Sequence, residues 1–238
     1  MYHQIHHPSN PLRLQRFEQH LKALKEWAPL VVPGDQNTTN SLRLCLTFDD
    51  AYYDFYAEVW PRLQHYKIPA VLAVPVGFIP EHATRSAAER LQTPYPEGLA
   101  TPAPTDVLCS WDELRQMQQQ GLHIACHGYW HKAMNTTLSP EHFYTESAQA
   151  KEKLFKKLNV SVDSFMFPFG DWEKQWIAPL QEHFRYLFRI GHAMNQQWEQ
   201  PMLHRIDADP YWLNGRLPTA NDLLAWWAQG KWKRYRGR

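Results

Sequence analysis

The chain has 238 residues, a length most simply met by one domain with a substantial core. Its 25 Lys and Arg balance 24 Asp and Glu to a formal net charge of +1, which excludes a global attraction to nucleic acid or to anionic polymers. Its 11 Trp exceed what core filling asks for and favour a carbohydrate partner or an interface. The three Cys (Cys45, Cys109, Cys126) cannot form a closed disulfide set, and Cys45 and Cys126 lie in apolar strands as small hydrophobes. There is no basic-then-apolar leader and no apolar run near 18 residues. The expected location is therefore the cytoplasm.

Residues 2–5 read as a short first strand, with His3, His6 and His7 as its polar exit. Leu14, Phe17, Leu21 and Leu24 share one face of a helix that ends before Pro29. After a loop at 34–41, Leu42, Leu44, Leu46 and Phe48 alternate with Arg43, Cys45 and Thr47, the period of a strand with one face in a core. A helix spans 52–66, with Pro61 kinking it or starting a second one, and Ile68 to Val76 is a buried strand. Residues 77–109 form a Pro- and Ala-rich excursion without a sustained period, expected to be a lid or disordered. Ser110-Trp111-Asp112-Glu113 is a capping box opening a helix that stops at Gly121. Leu122 to Cys126 is a strand, Ser139-Pro140-Glu141 opens a helix to Leu158, and Ser164 to Phe169 is a strand. A helix at 173–184 and strands at 186–191 and 202–206 follow. The final helix, capped by Thr219 to Asp222, carries Leu223, Leu224 and Trp227 and ends at Gly230. Seven strands alternating with helices make an α/β protein with a parallel sheet, closed or nearly closed as a barrel.

Two strand ends carry chemistry. Asp49 and Asp50 stand where the Leu42–Phe48 strand runs out, and His127 and His131 follow the Leu122–Cys126 strand. Ligands and metals collect at the C-terminal ends of strands in such architectures. Two His four apart on a helical turn point the same way, and with one Asp oxygen they leave an open position on a metal ion, as catalytic zinc sites do. Taken singly, the acidic pair reads as a helix cap and the His pair as a helix surface; both at strand ends in one chain are hard to assign to chance.

Thr47-Phe48-Asp49-Asp50 and His127 to His131 resemble the first two motifs of the polysaccharide deacetylases, the NodB-homology proteins of carbohydrate esterase family 4. Met1-Tyr2-His3-Gln4-Ile5 is similar to the first strand of the branch that includes poly-N-acetylglucosamine deacetylases. Pro69 to Pro75 is similar to the strand after the Asp-Asp helix, and Phe167-Pro168-Phe169-Gly170 to the third motif. The similarity runs from about Met1 to Ile206. It implies a single-domain distorted (β/α)7 barrel over 1–238 and one divalent metal ion, most simply zinc, held by Asp50, His127 and His131. Asp49 would be the catalytic base and the Phe169 backbone N–H an oxyanion donor.

The third motif departs from the pattern. Where many members carry Arg-x-Pro-Tyr, this chain has Met166-Phe167-Pro168-Phe169, so Arg205 is expected to replace the missing Arg and hold Asp49. His204 and Arg205 point to opposite faces of a strand, so with Arg205 inward His192 becomes the candidate general acid, against a reading as an ordinary loop residue. Trp111, Trp130 and Trp172 are candidates for sugar stacking or for core packing.

Three readings follow: removal of N-acetyl groups from an N-acetylglucosamine-containing glycan, removal of an O-acetyl, formyl or other acyl group from a biosynthetic glycan or lipid-linked sugar, and carbohydrate binding without catalysis. The aromatic and basic tail at about 228–238, with Lys231, Trp232, Lys233, Arg234, Tyr235, Arg236 and Arg238, suggests either peripheral docking on an anionic membrane or a solvated end.

Overall fold

The computed structural model describes residues 1–36, 41–93 and 107–235. Six strands form one parallel sheet: β1 (Thr47–Phe48), β2 (Val71–Val74), β3 (His123–Cys126), β4 (Ser164–Met166), β5 (Tyr186–Ile190) and β6 (Leu203–Arg205). Each strand pairs with its sequence neighbour, through registers such as Thr47↔Val71, Val74↔Cys126, Cys126↔Phe165, Met166↔Phe188 and Ile190↔Arg205. The strands are buried on both faces, which is why they read as near-continuous apolar runs. Along β2, Leu72 and Val74 pack with the helices, while Val71 and Ala73 join Ala125, Met166, Tyr186, Phe188 and Leu203 inside the curl.

The expected seventh strand is reduced to one bridge, Tyr2↔Phe48, so the sheet is a six-stranded curled half-barrel. Tyr2 N–H donates to the Thr47 carbonyl and Asp49 N–H to the Tyr2 carbonyl, each at 2.9 Å. Pairing then stops for a local reason. The buried Asp54 carboxylate takes the N–H groups of Ile5 (2.7 Å) and His6 (2.8 Å), which turns the chain away from β1. Met1 reaches the other sheet edge through the Ile206 and Ala208 backbone.

The helices cover the outside. Helix α1 (Leu12–Trp27) buries Phe17, Leu21 and Leu24. A π-helical turn at Phe55–Val59 runs without a break into α2 (Trp60–Tyr66), so Pro61 lies inside one continuous helix from residue 53 and starts no second one; the π turn stands directly before the residue that has no N–H to give. The excursion after residue 77 holds a helix that its composition does not announce, α3 (Ala87–Gln92). Its Arg90 is buried, pairs with Glu113 at 2.5 Å and lies 3.4 Å over the Tyr53 ring. The centre of that excursion, 94–106, lies outside the described residues. Glu113 also closes the expected capping box on Ser110 at the start of α4 (Trp111–Gln119). Helix α5 (Pro140–Tyr144) passes through a π-helical turn (Thr145–Gln149) into α6 (Ala150–Leu158). Then come α7 (Lys174–Gln181), the short α8 (Asp209–Trp212), which the sequence pattern did not suggest, and α9 (Ala220–Tyr235).

Helix α9 corrects two expectations. It continues past Gly230, where a Cβ would sit 2.3 Å from the Met194 carbonyl oxygen, so that glycine permits close approach instead of ending the helix. Trp226 is the buried anchor, packed edge-on to Tyr211, while Leu224 and Trp227 are exposed. Residues 236–238, the end of the basic and aromatic tail, lie outside the described residues. Among the described residues no helix is long and apolar enough to cross a membrane.

Burial pushes the Asp54 carboxyl up to about 6 from 3.8, its backbone donors notwithstanding. For an acid raised in the folded state, the contribution to stability is present below the unfolded pKa and is lost as pH rises through the folded one. Asp54→Asn keeps an acceptor without the charge. Its melting temperature relative to wild type is expected to climb between pH 4 and pH 6 and level off above, by the equivalent of about 3 kcal/mol. A difference that stays flat over that range would contradict the burial argument.

Candidate active site

The end of β1 makes a turn that few residue types adopt. Asp50 (φ 73°) and Ala51 (φ 54°) are both left-handed, and the turn splits the two carboxylates. Asp49 Oδ1 lies 2.5 Å from Arg205 Nη1, while Asp50 Oδ1 faces His131 Nε2 at 3.3 Å and His127 Nε2 at 3.5 Å. All five side chains are buried at the foot of a cavity of about 480 Å³.

The His pair arrives by a different route from the one its spacing suggests. Residues 127–131 are a loop, not a helical turn. His127 follows β3, and its Nδ1 is 2.8 Å from the Met166 carbonyl oxygen. A carbonyl only accepts, so Nδ1 carries the proton and Nε2 presents its lone pair. The chain then doubles back through Gly128 (φ 80°) to His131 (φ 53°), placing the two Nε2 atoms 3.2 Å apart.

The loop is held by a residue with no signal in the sequence, Glu146. It sits in the π-helical turn of the helix that follows, 1% exposed. It accepts the N–H groups of Tyr129 (2.8 Å), Trp130 (3.0 Å) and Lys132 (3.3 Å). A Cβ on Gly128 would come within 2.4 Å of its Oε2, so position 128 requires glycine for space as well as for φ.

Phe169 after β4 is also left-handed (φ 58°), with an exposed ring 4.6 Å edge-on from His131. Arg205 faces inward from β6, and Nη1 also rests 3.2 Å from Met166 Sδ. His204 points away, under Gly191. His192 is exposed and does not line the cavity. His3 and His7, which the sequence places at a strand exit, do line it, with His3 Nε2 3.9 Å from Asp49 Oδ2. Of the aromatic candidates, Trp111 is core, Trp130 stands half-exposed against Phe78, and Trp172 lines a separate cleft; neither Trp130 nor Trp172 lines this cavity.

Burial opposes the charge on every group here, so the net shifts show where the pairing wins. For Asp49, desolvation is outweighed by Arg205 and His127, which hold the carboxyl below its usual range. Asp50 is likewise held low, against burial, by His127 and His131. Burial and the neighbouring His127 push His131 down to about 4, so it stays neutral.

The model of the polysaccharide deacetylases matches residues 36–183, more than half of the chain. The protein belongs to the polysaccharide deacetylase family. No curated protein matches it. Its fold is shared by IcaB from Ammonifex degensii (20% identity, 96% of this chain and 94% of that one, TM-score 0.69). It is also shared by a de-N-acetylase from Aggregatibacter actinomycetemcomitans (18%, 81% and 83%, TM-score 0.66) and by the Streptococcus pyogenes deacetylase PplD (17%, 92% and 96%, TM-score 0.66). A member of this family is a hydrolytic deacetylase, and its fellow members use a divalent metal ion.

This polysaccharide deacetylase has residues that fit such an ion. Ligand atoms of Asp50, His127 and His131 all lie within 4.8 Å of one another, and Asp50 Oδ1 has no hydrogen-bond partner despite its burial. Two imidazole nitrogens and a carboxylate oxygen facing one point make a mixed N/O donor set suited to zinc and its neighbours among divalent metals.

Removing Glu146 tests the loop that carries His131. Glu146→Ala leaves three inward N–H groups without their acceptor and is expected to cost about 3 kcal/mol in denaturant unfolding. It should also lower metal affinity by about 10–100-fold in a chelator competition. Unchanged values for both would show that the loop holds itself.

Proposed function

We propose that this protein removes N-acetyl groups from an N-acetylglucosamine-containing glycan, using one divalent ion bound by Asp50, His127 and His131. The observation that carries the reading is the division between two adjacent buried carboxylates: Asp50 turned to the imidazoles, Asp49 turned to Arg205. An ion bound there would polarise the acyl carbonyl and acidify water. Asp49, ionised and hydrogen-bonded by Arg205, accepts the proton of the attacking water. The Phe169 backbone N–H is the candidate oxyanion donor from the left-handed turn after β4. His3, partly exposed at the cavity and on the Asp49 side, is better placed than His192 to protonate the leaving amine.

Met166 and Arg205 make complementary use of one space. An Arg at position 166 would meet the guanidinium that now rests on the Met166 sulfur, so a neutral side chain there accompanies an Arg on β6. This supports a working site in spite of the altered third motif, and weighs against a purely carbohydrate-binding role. An O-acetyl, formyl or other acyl group on a biosynthetic glycan or lipid-linked sugar is the alternative, separated from N-acetyl by measuring acetate and formate release from chitin oligosaccharides, from O-acetylated glycans and from N-formylated sugars.

Asp50→Ala, His127→Ala and His131→Ala are each expected to lose bound metal, measured by elemental analysis of purified protein. Asp49→Asn should keep the metal and lose about 10²–10⁴-fold in kcat. An empty site in Asp49→Asn, or a rate within a few-fold of wild type, would overturn the division of roles. His3→Ala should lower turnover by at least 10²-fold with metal content unchanged, and His192→Ala should leave it near wild type; the reverse pattern would restore His192 as the acid.

A further inference from the structure

A second cleft, of about 360 Å³, is lined by Trp172, Arg189, Trp232 and Lys233. It adjoins the active-site cavity through β5, where successive residues serve the two sides: Ile190 lines the cavity and Arg189 the cleft. The left-handed turn at Gly170 (φ 70°) packs against Ile190, where a Cβ would meet Ile190 at 3.0 Å, and Trp172 follows two residues later. Gly170 and Ile190 thus line the cavity, while Trp172 and Arg189, close to them in the chain, line the second cleft.

The cleft combines two chemistries. Trp172, packed on the core with the Arg189 guanidinium over its ring, and the 48%-exposed Trp232 bring indole surface to the cleft, and indoles stack on sugar rings. Arg189 lies 4.9 Å over the Trp172 ring and donates Nε–H to the Ile190 carbonyl (3.1 Å), while Lys233 Nζ donates to the Gly191 carbonyl. Among the described residues no carboxylate pairs with either cation. The two are half-buried together, and burial with mutual repulsion lowers the Lys233 pKa, while burial lowers that of Arg189. A pair of unneutralised cations between two indoles is an unfavourable arrangement that an anion relieves. A guanidinium with free Nη atoms takes a carboxylate or phosphate through two parallel hydrogen bonds.

We propose that this cleft is a subsite for an anionic sugar unit, one carrying a carboxylate or a phosphate, two indoles receiving the ring and Arg189 and Lys233 its charge. The inference deepens the deacetylase reading by naming a feature of the substrate: the glycan that enters the cavity is charged near the unit being deacetylated. It rests on that reading only for the role of the bound sugar, because binding at the cleft is measured without turnover.

The test is isothermal titration of the full-length, metal-loaded protein with chitotetraose (neutral) and with a hyaluronan tetrasaccharide, in which N-acetylglucosamine alternates with glucuronate. N-acetylglucosamine 1-phosphate serves as the phosphate arm, and phosphatidylglycerol vesicles as the membrane arm. The acidic tetrasaccharide or the sugar phosphate is expected to bind at least tenfold tighter than its neutral counterpart, and to lose that advantage at high salt. Arg189→Gln and Lys233→Ala should each remove most of the preference while leaving chitotetraose affinity unchanged, and Trp232→Ala should weaken the charged and neutral saccharides alike. Arg189→Lys, which keeps charge without the fork, should recover only part. Preference for the uronate identifies a carboxylate and preference for the sugar phosphate a phosphate; either supports the subsite. Equal affinity for charged and neutral saccharides, or a preference that survives in both Arg189→Gln and Lys233→Ala, overturns it. So does vesicle binding that depends on Trp232 and Lys233 with no saccharide preference, which would assign these residues to membrane docking. Acetate release from chitotetraose is measured separately: its absence would sink the deacetylase reading and leave the subsite result standing on its own.

Discussion

Asp49 and Arg205 meet 2.5 Å apart with under a twentieth of either side chain exposed. Taking both charges out of water costs several kcal/mol per ion, recovered only if the geometry is good, so the pair constrains everything that carries it. Asp49 follows β1 and Arg205 belongs to β6, and these are the two edges of the sheet. The ion pair therefore spans the gap that a seventh strand would fill, beside the thin seam of Met1 and Tyr2. Curling of the sheet and assembly of the site are one event: if the edges drift apart, the carboxylate loses its counter-charge inside a core. A flatter sheet could satisfy the backbone of β1 to β6 equally well, but it could not satisfy this pair.

Around that pair, strain is concentrated where the chemistry is. Four of the seven non-glycine residues with positive φ are Asp50, Ala51, His131 and Phe169, at the ends of β1, β3 and β4. Two of the others, Lys67 and Asn159, are ordinary helix ends. Left-handed backbone at bulky residues persists only when the surroundings over-determine it. Here buried carboxylates supply much of that determination. Glu146 gathers the N–H groups of the His127–His131 loop, and Asp54 those of the segment leading from His3. Neither faces the cavity, yet each fixes the backbone from which a cavity residue projects.

The same physics explains which parts were legible in the sequence. Asp49 and His127 each stand directly after an apolar run, with Asp50 and His131 close behind them, and strand ends of a parallel sheet converge, so their meeting follows from local pattern plus topology. Arg205 was legible for a second reason: alternation along β6 sends it and His204 to opposite faces. His3 was not, because the turn that brings it to Asp49 is made by a side chain 51 residues away in sequence, Asp54 against His3 itself. Glu146 reads as a solvent-facing acid in a helix, and its burial depends on an extra residue in a π-helical turn that no periodicity shows. Gly230 misled for a related reason. A glycine near the end of a periodic stretch suggests a stop, and only the Met194 carbonyl against it shows that it is a contact.

Net charge misleads in the same way when it is taken as a property of the whole surface. A balance of +1 does exclude broad attraction to polyanions, but it averages over a molecule whose carboxylates are spent locally. Asp49 and Asp50 face cations or a metal site, Asp54 and Glu146 face backbone N–H groups, and Glu113 faces Arg90. None of these is within reach of Arg189 or Lys233, which line the second cleft. An acidic residue added to neutralise them would have to enter a cleft already walled by two indoles. Near neutrality overall is thus compatible with a local excess of positive charge next to the reacting groups, where a glycan would lie. In the enzyme proposed, selectivity would come from beside the chemistry, leaving Asp49, Asp50, His127 and His131 free of any demand to discriminate among substrates.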